Sequence, residues 1–151
     1  MYFDEDVVLD VRLNTLNEYV DYFVIVESRF THRGDKRNLK FNHQKFKQFK
    51  EKIIYITYDE EPDDIVSVNE KDSEAVKSGK YILNAAKREN GQRNFISEGI
   101  KNASDNDIIL ISDVDEIPNL ENLNFNFIKE KILLFKQDMF YYKFDLKIPN
   151  L

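Results

Sequence analysis

The chain has 151 residues, 42% of them hydrophobic and 33% charged, which suits one ordinary globular domain. It carries no cysteine, so disulfides and thiolate metal sites are excluded. The net charge of −6 and the acidic pI give no basic face for nucleic acid.

In chain order, Leu9, Leu13, Leu16 and Val20 are spaced four, three and four, which predicts a helix over residues 5–20 with Asp4 as its N-cap. Arg12, Asn14, Asn17 and Glu18 are read mostly off this stripe. Arg12 is a solvated charge or an inward partner for a carboxylate, and solvation is preferred. Tyr22–Val26 is continuous, β-branched and aromatic, the pattern of a buried strand. Glu27, Ser28 and Thr31 follow at its carboxyl end. Glu27 is either a strand-end charge reaching water or a contact for a nucleoside. Thr31–Asn38 is polar with a turn at Gly34-Asp35, and Lys36 and Arg37 in it read as solvated.

Phe41–Lys52 predicts a short helix with Phe46 and Phe49 inward. Ile53–Tyr58 predicts a second strand, and strand–helix–strand order suggests a parallel crossover. Asp59–Ser78 reads as a long surface loop, and Ile82–Ala103 as mainly helix that Gly91 interrupts. Ile108–Ser112 predicts a third buried strand. Phe125–Phe135 predicts a helix and Met139–Leu146 a strand. No uncleaved apolar run is long enough to span a bilayer, and the opening Met1-Tyr-Phe-Asp-Glu-Asp lacks a secretory pattern; a cytoplasmic protein is the expectation.

The densest chemistry follows the third apolar run, in Asp113-Val-Asp115-Glu116-Ile-Pro118. Residues i and i+2 of an extended chain share a side, so Asp113 and Asp115 project together. Two carboxylates ~5 Å apart repel by roughly 3 kcal/mol at an effective dielectric of about 20. Solvation, a shared proton or a cation relieves that. Oxygen-only ligands suit Mg²⁺ or Mn²⁺, which also take substrate phosphate oxygens. A solvated acidic turn and a metal site for a nucleotide diphosphate both stand at this point. A phosphatase site is disfavoured, because Glu116-Ile-Pro118 replaces the small residues and Thr expected after a nucleophilic Asp.

Five segments in order resemble glycosyltransferase family 17. They are Arg12-Leu13 in the first helix, Val20–Ser28, Thr31–Gly34, Arg88-Glu89 with Gln92-Arg93, and Asp113–Pro118. The family includes β-1,4-mannosyl-glycoprotein N-acetylglucosaminyltransferases. The resemblance implies a GT-A-like three-layer α/β/α domain with a mainly parallel sheet over residues 1–151; the chain departs from the family in extent, and a short or missing acceptor half is the expectation. It implies a UDP-sugar donor, a glycan acceptor and inverting, metal-dependent transfer of N-acetylglucosamine. Asp115, with Asp113, would hold Mn²⁺ or Mg²⁺. Asp113 would contact the ribose or a metal-bound water, Glu27 and Ser28 would border the nucleoside, and Arg93 would meet the diphosphate or ribose. For Arg93 an ion pair with Glu89, one helical turn earlier, is the structural alternative. No general base is assigned. A donor-binding fragment without catalysis is the alternative function.

Overall fold

The computed structural model describes residues 1–141 and 145–148. Helix α1 (Asp6–Leu16) precedes strand β1 (Phe23–Ser28), strand β2 (Ile53–Tyr58), helix α2 (Glu74–Asn94) and the one-turn helix α3 (Ile96–Gly99). β1 and β2 pair in parallel, Phe23 opposite Ile53 and Ser28 opposite Tyr58. The domain is α/β, with a two-stranded sheet among the described residues rather than the wider sheet of the expected three-layer domain.

The side-chain period of two sorts β1 between two faces. Phe23 and Ile25 join Leu9, Leu13 and Leu16 of α1 in one core with Phe46, Phe49 and Leu120. Tyr55 of β2 packs against that core, with its ring stacked on Phe41 at 4.5 Å. Tyr58 points the other way, toward Phe95, the residue between α2 and α3, at 5.2 Å. Gly91 does not interrupt α2. A Cβ there would lie 2.6 Å from the Tyr58 hydroxyl, so this position needs glycine for close approach.

α1 starts one residue past Glu5, and Asp4 does not cap it with its side chain. The helix ends at Leu16 rather than 20, and the Tyr19 amide turns back three residues to the Leu16 carbonyl in a tightened final turn. Lys52 Nζ then satisfies the Asn17 and Val20 carbonyls at 2.6 and 2.8 Å. Phe41–Lys52 is a chain of turns with a 3₁₀ segment, Lys47–Phe49, in place of a helix. Side chains three apart eclipse in 3₁₀ geometry, which brings Phe46 and Phe49 to one side. α2 begins earlier than expected because Ser73 accepts from the Val76 amide.

Ile108–Ser112 is a correction. It pairs in no ladder, and Ile108, Ile109 and Ile111 are 62%, 42% and 60% exposed. The physical reason lies on the free edge of β1. The Phe23 and Arg29 amides bond to the β2 side, so Val26 between them points away. Its carbonyl is taken by the Tyr2 amide at 2.9 Å and by Gln92 Nε2 at 3.0 Å. Phe125–Phe135 keeps only a 3₁₀ turn at Phe125–Phe127. The strand expected at Met139–Leu146 lies partly outside the described residues.

Candidate functional site

A cleft of about 650 Å³ lies beside the free edge of β1, lined by Tyr2, Phe3, Thr31–Arg33, Glu89, Gln92 and Asp113–Asp115 among others. That is the size range of small-molecule sites. One wall is a turn. The Thr31 and Asp35 backbones bond each other, Gly34 N reaches Thr31 O at 2.9 Å, and the Thr31 hydroxyl accepts from Asp35 N. Gly34 has φ +98° and lies against the Arg88 guanidinium, so a side chain there would be both strained and blocked. Arg88 donates to the His32 carbonyl and to Glu61, which ties this wall to α2.

The facing wall is the acidic turn. Glu116 N donates to Asp113 O at 3.2 Å, and the Glu116 carboxylate accepts from Asp113 N at 2.9 Å. The reciprocal pair closes residues 113–116, and Glu116 serves as support rather than facing the cleft. Asp113 Oδ1 accepts from Arg93 Nη2 at 3.2 Å. The same nitrogen reaches Glu89 at 3.2 Å, so Arg93 makes the one-turn ion pair and the link to the acidic turn together. The Asp115 carboxylate is exposed and has no hydrogen-bond partner among the described residues.

Glu27 and Ser28 are placed differently. Glu27 shares the face of Phe23 and Ile25, which carries its carboxylate into the aromatic layer and away from the cleft. It is 0% exposed. It accepts from Lys40 N at 2.7 Å, Phe41 N at 3.1 Å and Tyr55 Oη at 2.8 Å, and it pairs with Arg37 at 3.1 Å. Arg37 is therefore not a solvated charge; it also donates to the Ser28 and Phe3 carbonyls and lies 3.9 Å over the Phe3 ring. The Ser28 hydroxyl is buried and accepts from Phe30 N. The structure thus joins Arg93 to Asp113 and sets Asp115 on the same cleft, while Glu27 lies in the aromatic layer and Ser28 is buried on the opposite face of β1.

The family model of glycosyltransferase family 17 matches residues 1–149. The chain belongs to glycosyltransferase family 17. Relatives in this family include proteins named β-1,4-mannosyl-glycoprotein 4-β-N-acetylglucosaminyltransferase. The Homo sapiens and Rattus norvegicus proteins are each 29% identical over 121 residues, 78% of this chain and 20% of theirs. The Mus musculus protein is 28% identical over the same extent. The matched region spans about a fifth of those relatives' length. No solved structure matches the chain.

Within this family-17 chain the donor set of the acidic turn fits a hard divalent cation. Both carboxylates line one cleft, all donors are oxygens, and Asp115 is free to ligate. Among the described residues no group of three or more His, Asp and Glu is gathered to hold a metal alone. Among the described residues no helix is long and apolar enough to cross a membrane.

Arg12, for which solvation is preferred over an inward role on sequence alone, turns inward as well. It is half-buried, and its guanidinium donates to Asp113 O at 2.9 Å, Glu116 O at 2.8 Å and Ser112 Oγ at 2.7 Å. Burial pulls its pKa below the ordinary arginine value, and Glu116, Asp115 and Asp113 oppose that pull. The signal was present: residues 9, 12, 13 and 16 follow the i, i+3, i+4, i+7 spacing of one helical face.

Proposed function

We propose that the protein transfers a sugar, N-acetylglucosamine, from a UDP-sugar to a glycan hydroxyl with inversion, using Mn²⁺ or Mg²⁺ held by Asp115 and Asp113. The observation that carries this reading is the pair of carboxylates on one cleft wall, Asp113 engaged by Arg93 and Asp115 unengaged. The family and the printed names of the relatives support the reaction class and the sugar. A divalent cation at this turn would neutralise charge building on a leaving diphosphate.

The chain's own groups would do the following. Asp115 offers the cation a free carboxylate. Arg93 fixes the rotamer of Asp113, and its remaining donors are directed to ribose or diphosphate oxygens. Thr31–Arg33 form the opposite wall, where Arg33 adds positive charge for a diphosphate. Glu27 and Ser28 act from behind the cleft, by fixing the backbone that leads into Thr31. An acceptor hydroxyl gives up its proton to a general base, for which no residue is assigned, and attacks the anomeric carbon on the face opposite the departing UDP. The bond from that carbon to the diphosphate oxygen breaks as the new glycosidic bond forms.

Calorimetric titration with UDP, with and without Mn²⁺, tests the site. Asp115→Asn keeps the shape and removes the charge. It should cost ~1.5–3 kcal/mol, roughly ten- to a hundredfold in affinity, with Asp113→Asn costing less. UDP binding that is equally tight in EDTA, or untouched by Asp115→Asn, overturns the reading.

A further inference from the structure

We infer that Arg12 is the positioning residue of the acidic turn: its guanidinium shapes Asp113–Glu116 for a divalent cation without touching cation or donor. The inference rests on the metal-site reading above and adds a residue from a distant part of the chain.

Three observations carry it. First, the Asp113–Glu116 turn is closed by its own two bonds, but these set its shape and not its place on the fold. The preceding segment is in no ladder, and Glu116 and Asp115 are exposed. Second, Arg12 contacts the turn at three points. One Nη bridges the carbonyls of Asp113 and Glu116, the turn's two ends, and the other bonds the Ser112 hydroxyl just before it. Fixing both ends fixes where the intervening Asp115 side chain emerges. Third, the anchor is rigid. Arg12 stands on the α1 face that carries Leu9, Leu13 and Leu16, all buried in the core.

The residue type matters. A planar guanidinium spreads fixed donors over three acceptors, whereas an ammonium is a point charge on a flexible stem. Its charge also offsets the mutual repulsion of Asp113, Asp115 and Glu116, which all act on it electrostatically. Partners one step removed from a ligand set orientation, and their loss typically costs about ten- to a hundredfold in metal affinity.

The test compares wild type with Arg12→Gln, Arg12→Lys and Ser112→Ala. Two readouts are taken: UDP affinity with Mn²⁺ and with EDTA, and amide hydrogen exchange at Asp113 and Glu116. Arg12→Gln should lower Mn²⁺-dependent UDP affinity about ten- to a hundredfold and leave the EDTA value unchanged. Exchange at Asp113 and Glu116 should quicken while β1 and β2 amides keep their protection. Arg12→Lys should recover only part of the affinity, and Ser112→Ala should lose less than Arg12→Gln. Wild-type Mn²⁺ affinity in Arg12→Lys, or unchanged turn exchange in Arg12→Gln, overturns the inference. A folded wild type that binds no UDP overturns the metal-site reading and this inference's role in it; exchange at the turn then still reports whether Arg12 holds it.

Discussion

Two apolar runs in this chain end in acid, and they meet opposite fates. Phe23–Ser28 forms β1, and its Glu27 receives three hydrogen bonds and an ion pair in complete burial. Ile108–Ile111 is as β-branched, yet it joins no ladder, and the Asp115 that follows it faces solvent unpaired. Partner supply makes the difference. Glu27 lies where Lys40 and Phe41 present amides and Arg37 a guanidinium. A carboxylate so saturated stabilises structure and has no lone pair to spare. Asp115 keeps its coordination capacity, which is what a ligand-binding group needs.

Removing the saturated acid should have the largest effect. Glu27→Ala leaves the Arg37 charge buried beside two orphaned amides. Breaking a buried pair from one side typically costs about 3–5 kcal/mol. Denaturant unfolding checks this; a loss below 1 kcal/mol would mean that water replaces the carboxylate and the contrast with Asp115 fails.

The apolar runs themselves give the next comparison. Ile25→Ala opens a cavity in the core and should cost about 2–5 kcal/mol. Ile109→Ala, on a half-open segment without a ladder, should stay within about 0.5 kcal/mol. Equal losses at the two positions would show that residues 108–111 are a buried strand after all.

A third test uses pH. Burial, and then the hydrogen bond to Glu27, raise the Tyr55 phenol above its ordinary 10.0. A folded-state pKa above the unfolded one contributes stability that is complete below pH 10 and lost as pH rises through the folded value. Tyr55→Phe should therefore cost about 1.5 kcal/mol at neutral pH and flatten the alkaline loss. An alkaline unfolding curve identical to wild type would rule out Tyr55 as its source.

Period and spacing made much of this legible. The α1 stripe, β1 and β2 follow from local pattern, whereas Asp113 and Asp115 line one cleft from a closed turn and not from the extended chain that their spacing suggested. What escaped was decided by groups far away in sequence. Ile108–Ser112 reads as a strand by composition, but the edge of β1 at Val26 is taken by Tyr2 and Gln92. Glu27 reads as a strand-end charge or a nucleoside contact and Arg37 as a solvated loop charge, and only the fold brings them together. Arg12 alone was locally visible, since its spacing from Leu9, Leu13 and Leu16 marks it as facing inward.

The smallest expected effect is the one that most sharply separates the two acids. Asp115→Asn removes an exposed carboxylate with no hydrogen bond, two residues from Asp113 and adjacent in sequence to Glu116. Nothing buried is left unpaired, and some like-charge repulsion is relieved. Surface changes of this kind stay within about 0.5 kcal/mol. The relief of repulsion sets the sign, so a slight gain in thermal stability is expected without metal. The same substitution is the one expected to weaken Mn²⁺-dependent UDP binding. Addition of Mn²⁺ and UDP should raise the melting temperature of wild type and leave that of Asp115→Asn nearly still. A destabilisation above 1 kcal/mol in the absence of ligand would make Asp115 a structural acid like Glu27, and the division between a saturated and an available carboxylate would fall.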